Sequence, residues 1–431
     1  MKHIVLTALI SLLPLSAATL TLEDCYKQAL KNNLSLKSGE IQKSLAENNR
    51  KGALYDFYDL TGSYNGDYTY GKDYPDNDPE SPLAPNKSRS SSLLTNKAGI
   101  SLNANLSLGL IDNYKMKKLA ESSTSLTADK ARLNLLQSVT AAFYGLASSK
   151  DELEMKKEQI ELSRLQYEQE KLKLQLGNST RSELFAAEVE YSADSLAIFT
   201  SETNVKKSKQ ELLSIINSKE SYDTFDISVE QSGLDSYEPV GSSVESLIIE
   251  ALNSRADYQA EKNSLQMAQI QLDMAEHKYL PLAYASAGTD YSHIKNMDSE
   301  ALTRNFGYQL SLGLKWNVSL LSDCNSVENS KLLLEKSSLE LENSADQIAS
   351  EVKTAYLNIK MQEQQLLQSR KHLELTKQNL ELAEEMYRLG KKSLIEMVSA
   401  KNNYITAKKN SISARYDYKI AYSKLMNAIG K

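Results

Sequence analysis

Four segments of the chain alternate between apolar and polar residues with a period of two. The clearest is 98–110, where every even position from Ile100 to Leu110 is apolar and Ser, Asn or Gly occupies the odd positions. The other three are about 58–70, about 282–292 and about 306–318. This period predicts strands. Lengths near ten residues, one apolar face and aromatic residues toward the ends are typical of strands that cross a membrane around a polar lumen. A soluble β-sandwich is the alternative.

Four strands are too few to close a barrel. An open sheet edge is not tolerated in lipid, because its backbone N–H and C=O groups would lack hydrogen-bond partners. At least two copies of the chain must therefore combine their strands. Three copies would make a barrel of twelve strands, and two would make only the smallest size that is usual.

Between the strands, apolar residues recur at three- and four-residue steps, which predicts helices. The segment 113–176 has Gly145 as its only glycine and no proline, and 322–389 contains neither residue type. Helices of this length cannot fold back into a compact globule, so each needs a partner helix along its length. Packing in coiled-coil fashion is expected.

Each long helix ends in a similar short turn. Gly177 and Gly390 suit the left-handed position just past a helix end, and Thr180 and Ser393 can cap the helices 181–217 and 394–429 that follow. An acid follows each cap at the same distance, Glu183 and Glu396. Two long antiparallel hairpins and an internal repeat are predicted.

The repeat extends toward the N-terminus. Aligning Ala29-Leu30 with Ala251-Leu252 also brings Ala53 onto Ala275. Each half then has the same predicted order of elements: helix, strand, loop, strand, long helix, turn, helix. We interpret 19–217 and 244–431 as two structural repeats, and 218–243, which contains Gly and Pro, as the linker between them.

The first residues predict export. Lys2 and His3 precede an apolar run from Ile4 to Leu13, and small residues end the segment at Ala18. This is the pattern of a signal peptide, 1–18, and the run is too short to span a membrane as a helix. The net charge of −6 is small, and no block of Lys or Arg stands out. Binding to nucleic acid is therefore not expected.

No catalytic constellation is apparent. The four histidines are scattered, and no His, Cys or Asp cluster has metal-ligand spacing. A glycine-rich phosphate loop is also missing. The sequence predicts no enzyme activity, no metal and no cofactor. Cys25 and Cys324 are expected to stay unpaired, since the predicted helices separate them by far more than a disulfide allows.

The stretch from Tyr387 to Ala400, Tyr-Arg-Leu-Gly-Lys-Lys-Ser-Leu-Ile-Glu-Met-Val-Ser-Ala, resembles the TolC-like outer-membrane efflux protein family, as does the start Leu20-Thr21-Leu22-Glu23. The resemblance implies a homotrimer. A twelve-stranded transmembrane β-barrel, four strands per chain, would contact outer-membrane lipid and continue as a long α-helical coiled-coil barrel in the periplasm, with the linker 218–243 in an equatorial belt. This is an α+β membrane protein.

In such a family the chain is a passive duct. The resemblance implies that a periplasmic adaptor (membrane fusion) protein and an inner-membrane pump deliver the cargo, in efflux or in type I secretion. A periplasmic coiled-coil adaptor or a structural envelope protein is the alternative function. It would explain the hairpins, but it would not need the four alternating strands. The sequence does not indicate the cargo.

The resemblance also implies roles for particular residues. Tyr387, Lys392 and Glu396 match positions that close the periplasmic mouth or surround it with charge, and the spacing of Lys392 and Glu396 would place them on one helix face. An ordinary solvated pair is the alternative. The turns are expected to contact the adaptor through these residues: Gly177, Thr180, Glu183, Gly390 and Ser393.

Two positions depart from the family pattern. Ser399 stands where relatives often have a second acid, so a double acidic ring is not expected. Asp59 stands where the second repeat has Pro281, which predicts a softer bend between helix and strand in the first repeat.

Overall fold

The computed structural model describes residues 19–73, 89–229, 239–297, 301–317 and 319–431. The predicted signal peptide, most of the loop between the first two strands and part of the linker lie outside these ranges. The helices, numbered in chain order, are α1 Leu22–Asn32, α2 Leu34–Tyr55, α3 Leu108–Gln175, α4 Arg181–Ile215, α5 Val244–Ser254, α6 Ala256–His277, α7 Leu320–Arg388 and α8 Leu394–Ala428. The strands are β1 Thr19–Leu20, β2 Tyr58–Asp73, β3 Arg89–Leu106, β4 Asp226–Ile227, β5 Leu282–Asn296 and β6 Leu302–Lys315.

All four predicted long strands are present, but their bounds differ from the sequence prediction. The predicted strand 98–110 ends at Leu106, because the Ser107 hydroxyl accepts a hydrogen bond from the Leu110 backbone N–H (3.2 Å) and α3 begins at Leu108. The predicted strand 306–318 lies earlier in the structure and ends at Lys315. The carboxylate of Asp323 accepts a hydrogen bond from the Ser319 N–H (2.8 Å) at the start of α7. The cap at Ser107 therefore ends β3 sooner than the alternation suggests, whereas the cap at Ser319 comes after the end of β6.

The long strands form one antiparallel sheet in the order β2-β3-β5-β6. Tyr64 pairs with Ala98, Ala98 with Tyr291, and Tyr291 with Phe306, so one register runs across all four strands. Within the described residues, β2 and β6 are the edges of this sheet and no strand pairs with their outer sides.

The described residues form two compact units. One contains the sheet and comprises residues 41–125 and 260–342, and the other comprises residues up to 40, 126–259 and 343–431. Polar side-chain contacts lie inside the sheet-containing unit, where Arg50 forms an ion pair with Glu121 (2.6 Å) and His277 Nδ1 lies 2.6 Å from an Asp112 carboxylate oxygen. None of the helices in the described ranges combines the length and the apolar character needed to cross a membrane.

The second unit has two apolar clusters. One joins α1, α3 and α4 through Cys25, Ala29, Phe143 and Leu212, and it includes Phe225 beside β4. The other joins α5, α7 and α8 through residues that include Ala251, Val352 and Leu425. Each cluster is centred on the short helix that begins one half of the chain, which explains why these helices have small, fully buried alanines.

The two halves match element by element. Helices α1 and α5 have 11 residues each, α2 and α6 have 22, and α4 and α8 have 35. The aligned alanines are buried in both halves, Ala29 with Ala251 and Ala53 with Ala275. The compact units do not follow this division, because each contains parts of both halves.

Each half ends with a contact to its own first short helix. The Asn217 side-chain amide donates to the Asn32 carbonyl (3.0 Å), and the Ser254 hydroxyl donates to the Ile429 carbonyl (2.6 Å). At the start of the described chain, Thr19–Leu20 pairs in parallel with Asp226–Ile227 in the linker. Cys25 is buried and Cys324 is exposed, and both are free, which confirms that they are unpaired.

Candidate functional site at the hairpin tips

Both long hairpins turn in the same way. Gly177 and Gly390 have φ values of 76° and 70°, as predicted from the left-handed position past a helix end. At the first turn, Gly177 N–H donates to the Leu174 carbonyl (3.0 Å) and Asn178 N–H to the Lys173 carbonyl (2.8 Å). The second turn repeats both bonds from Gly390 (2.9 Å) and Lys391 (2.8 Å). We call residues 170–183 the first tip and 383–396 the second tip.

The helix that leaves each turn starts with the same cap. The Thr180 hydroxyl accepts from the Glu183 N–H (3.3 Å), and the Glu183 carboxylate accepts from the Thr180 N–H (2.8 Å). Ser393 and Glu396 repeat the two bonds with the same distances. These backbone hydrogen bonds lower the pKa of both glutamates. The predicted caps are therefore confirmed, and both acids complete capping boxes.

A cluster of polar side chains joins the two tips. The Tyr387 hydroxyl donates to the carboxylate of Glu170 (2.6 Å), whose residue is only 1% exposed. The Lys173 ammonium donates to the same Glu170 oxygen (2.7 Å) and to the Tyr387 hydroxyl (2.9 Å). The Ser179 hydroxyl lies 3.0 Å from the other Glu170 oxygen. We call these residues the tip cluster: Glu170, Lys173, Ser179 and Tyr387.

Burial and hydrogen bonding together determine the pKa values of the acidic groups in the tip cluster. Burial alone would raise the pKa of Glu170, but hydrogen bonds from Lys173, Tyr387 and Ser179 hold the pKa below its ordinary value. Burial, with the Glu170 carboxylate next in importance, raises the pKa of Tyr387. The Lys173 ammonium also lies 4.4 Å from the centre of the Tyr387 ring, which adds a cation–π contact. The cluster therefore holds an ionised glutamate at a buried position between two helices.

Ion pairs and hydrogen bonds continue along the hairpins away from the tips. Lys401 on α8 contacts Glu190 on α4 (3.1 Å), and the Gln159 amide on α3 donates to Asp194 on α4 (2.5 Å). Tyr416 donates to Asp151 (2.7 Å). Lys401 and Tyr416 therefore connect α8 to the α3–α4 hairpin, and Gln159 connects the two helices of that hairpin.

The three predicted mouth residues, Tyr387, Lys392 and Glu396, have different surroundings in the structure. Tyr387 lies in the tip cluster, but α8 begins at Leu394, so Lys392 is in the turn and not in the helix. The expectation that Lys392 and Glu396 share one helix face is therefore wrong. Glu396 instead accepts hydrogen bonds from Ser393. The roles of Tyr387, Lys392 and Glu396 at a mouth remain predictions.

Sequence reasoning missed Glu170, Lys173 and Ser179. Glu170 and Lys173 are three residues apart on α3, which is a recognisable helix pair, but such pairs are common along this chain. The useful signal was the difference between the repeats. Seven residues before each tip glycine stands Glu170 in the first repeat and Ala383 in the second. The first repeat has the polar Glu170 at the position where the second repeat has Ala383, which is buried in the structure. This difference between the repeats marks the position as a candidate site.

Within the described ranges, no group of three or more His, Cys, Asp and Glu side chains is placed to hold a metal ion. The tip cluster consists of hydrogen bonds between side chains of two hairpins. The tip cluster can hold the two hairpins together, and the hairpins can separate at this point when its hydrogen bonds break.

The second half of the sequence and the fold of the chain are both similar to outer-membrane efflux channels. Residues 247–431 match the family model described as outer membrane efflux protein. The fold is similar to that of the Campylobacter jejuni CmeC outer membrane channel, with a TM-score of 0.76 and 18% identity over 95% of this chain and 85% of that one. It is also similar to the open state of the Neisseria gonorrhoeae MtrE outer membrane channel, with a TM-score of 0.74 and 14% identity over 95% and 88% of the two chains.

The CusC channel gives a TM-score of 0.76 at 15% identity, over 95% of this chain and 92% of that one. No curated protein matches the sequence. The resemblance to the TolC-like outer-membrane efflux protein family is confirmed, in sequence over 247–431 and in fold over nearly the whole chain. The fold is mostly helical, with one antiparallel four-stranded sheet among the described residues.

Proposed function

We propose that this chain is the outer-membrane exit duct of a tripartite efflux or type I secretion system. One observation carries the proposal, namely the four-stranded sheet with one exposed apolar face and two free edges. Large side chains on that face are open to solvent in the single chain, for example Tyr308 at 88% exposure and Leu310 at 77%. A soluble protein rarely exposes such a patch, whereas lipid would cover it.

The free edges support a homotrimer. In lipid, the outer N–H and C=O groups of β2 and β6 need partners, and another copy of the same sheet supplies them. Three copies give a closed barrel of twelve strands, within the usual range for such barrels. The opposite face of each sheet is polar, with Thr61, Ser101 and Asn103 joined by hydrogen bonds, and it would line the lumen.

The hairpin tips support contact with a periplasmic adaptor. Leu176, Leu389 and Ile395 are exposed at the two tips. Apolar side chains on a capped, rigid turn form a suitable contact for another helical protein. We therefore assign the adaptor contact to the turns that contain Gly177, Thr180, Glu183, Gly390 and Ser393. An inner-membrane pump would supply the energy, and this chain would conduct passively.

The tip cluster supports a closed resting mouth. Tyr387 bonded to Glu170 holds the second tip against the first. Lys392 and Glu396 lie beside this contact in sequence, and three copies would bring three of each to the mouth. Opening then requires the Tyr387–Glu170 contact to break.

A cysteine crosslinking experiment tests the proposal. In a Cys324→Ser background, cysteine replaces Leu60 on edge strand β2 and, one position at a time, residues from Tyr308 to Leu312 on edge strand β6. We expect a covalent trimer in outer-membrane extracts at one register. The matched control replaces Leu102 on central strand β3 instead of Leu60 and should give no trimer. A covalent dimer as the largest product, or a folded monomer with planar-bilayer conductance, would rule out the trimer.

A further inference from the structure

Charged residues are separated between the two faces of the sheet. We define the outward face as the side that carries Leu60, Ile100, Tyr291 and Phe306, and the polar face as the opposite side. Side chains alternate between faces along each strand, so the register assigns every position. Asp59, Asp67 and Asp290 lie on the polar face. Among the strand residues whose side chains the structure describes, no acid lies on the outward face.

Among the strand residues whose side chains are described, the cations on the outward face lie at one end of the sheet. His293 pairs with Arg304 across β5 and β6, and Lys295 pairs with Leu302 one step further along. We call His293, Lys295 and Arg304 the basic patch. It lies at the end of the sheet where loops join the strands, not at the end that leads into the helices. Lys295 and Arg304 are exposed and His293 is half-buried.

The rest of the outward face follows the layout of a membrane strand. The row next to the basic patch is aromatic, with Tyr64, Tyr291 and Phe306 in one register. Beyond it come Leu310, Leu312 and Leu314 on β6. From His293 to Ala283 along β5 is about 33 Å of strand, which a tilt of 35–45° reduces to roughly 25 Å, the height of an apolar band in lipid. The basic patch therefore lies at the level of lipid headgroups.

The basic patch is unfavourable in the isolated sheet. Lys295 and Arg304 are diagonal neighbours, and like charges on adjacent strands repel. Because none of the described strand residues places an acid on this face, an external anion is the compensation that we consider. Arg binds phosphate with two parallel hydrogen bonds, and lysine and a histidine N–H can add a donor each. Carboxylates on the polar face are separated from such an anion by the sheet.

We propose that His293, Lys295 and Arg304 form a binding site for the phosphate of an anionic lipid headgroup in the outer leaflet. This inference rests on the outer-membrane location proposed above. Its occupant is a phosphorylated lipid whose acyl chains lie on the apolar band below the aromatic row. A basic side chain near a membrane surface attracts anionic lipid by its charge, so the two exposed cations provide most of the affinity.

Lipid retention by the purified full-length protein tests the site. Wild type and the double variant Lys295→Gln with Arg304→Gln are equilibrated with phosphatidylcholine vesicles that contain lipid A as the phosphorylated probe. Bound lipid A is then quantified by mass spectrometry after detergent extraction. The matched control is Lys97→Gln, a cation on the polar face of the same sheet. We expect the double variant to bind lipid A about 30-fold more weakly, and Lys97→Gln to bind like wild type.

Equal retention by wild type and the double variant overturns the inference, as does an equal loss in Lys97→Gln. Millimolar inorganic phosphate is added in a second arm, and full displacement of lipid A by phosphate would show an anion site without lipid preference and would also overturn it. Planar-bilayer conductance is measured on the same samples. If the protein conducts but shows no lipid preference, only the inference about the basic patch is wrong. If the chain neither conducts nor reaches the outer membrane, the proposed function is wrong as well.

Discussion

The first tip and the second tip share their backbone conformation but differ in the side chains that meet between them. Both have a left-handed glycine, two closing hydrogen bonds and a capping box. Only the first tip has a buried acid, Glu170, where the second has Ala383. Only the second has Tyr387, where the first has Leu174. The repeat thus keeps the conformation of the turn, while the differing side chains let Glu170 of the first tip accept a hydrogen bond from Tyr387 of the second.

A similar divergence occurs between the first short helices of the two repeats. Asn33 follows α1 and accepts hydrogen bonds from the Ser35 and Leu36 N–H groups, which is a local cap. Arg255 follows α5 and instead donates to Asp257 (2.6 Å), Glu351 (2.6 Å) and the Ala428 carbonyl (3.2 Å). The second repeat therefore places a buried cation where the first has a neutral amide.

The largest expected effect comes from Arg255→Ala. Asp257 and the Ala428 carbonyl would lose their charged partner at a position that is 7% exposed, so we expect a loss of about 3 kcal/mol in unfolding free energy. Asn33→Ala removes only a cap and should lose about 1 kcal/mol. Urea unfolding of both variants measures the difference. Equal losses would mean that the two junctions are energetically alike despite their different contacts.

Glu170→Ala should both destabilise the tips and loosen the proposed mouth. Lys173 and Tyr387 would lose their shared acceptor, and we expect a loss of about 2 kcal/mol, reduced because Lys173 is partly exposed. Single-channel conductance in planar bilayers should rise. Glu168→Ala, an exposed acid on the same helix, is the control and should change neither quantity. A stable Glu170→Ala protein with unchanged conductance would show that the tip cluster does not control opening.

Glycine substitutions separate the turns from the helix interior. Gly177→Ala and Gly390→Ala force a side chain into a left-handed conformation and should each cost about 1 kcal/mol. Gly145→Ala in the middle of α3 meets no atom within 4 Å and should stabilise by about 0.5 kcal/mol. Chemical unfolding checks the signs. A clear difference between Gly177→Ala and Gly390→Ala would mean that the two turns are not equivalent.

The smallest expected effect is the pH dependence of the two caps. The pKa of Glu183 and of Glu396 is lowered in the folded protein, so each cap contributes stability above the ordinary value of 4.5 and loses it as the pH falls through the lowered pKa. NMR titration of the two side chains should give midpoints below 4.5. The variants Thr180→Ala and Ser393→Ala remove the hydroxyl but keep the backbone N–H that contributes most to the shift, so each midpoint should rise only part of the way to 4.5. A full return to 4.5 would show that the hydroxyl, and not the backbone N–H, lowers the pKa.

The sequence predicts the elements better than their contacts. Alternation located all four long strands, and glycine with a capping acid located both turns, because these signals are local. The end of the strand predicted at 98–110 was misplaced, since Ser107 caps a helix inside the alternating pattern. Glu170 and Tyr387 are far apart in sequence, so periodicity gives no reason to pair them. The expectation that Lys392 and Glu396 share one helix face was wrong because helix spacing was assumed for a residue in a turn.

Some predictions concern more than one chain or undescribed residues. The repeat bounds 19–217 and 244–431, the signal peptide and the bend at Asp59 remain predictions. The periplasmic adaptor alternative explains the hairpins but gives no role to the exposed sheet. The proposed duct uses both, because the same chain would need lipid around its strands and helical partners at its tips.

The contacts that return each half to its own first helix bear on the order of folding. Asn217 bonds to Asn32, and Ile429 accepts from Ser254, so each half is complete only when its last residues are present. During synthesis, the hairpin turns and the strand pairs within each half form from neighbouring segments, while these closing contacts wait for the end of α4 or α8. The Asn217–Asn32 contact can therefore form while the second half is still being made, whereas the apolar cluster around Cys25 also needs Ile412 and Tyr416 of α8. Early release of a chain shortened before Asn427 would leave α5 exposed and the second half open to proteolysis.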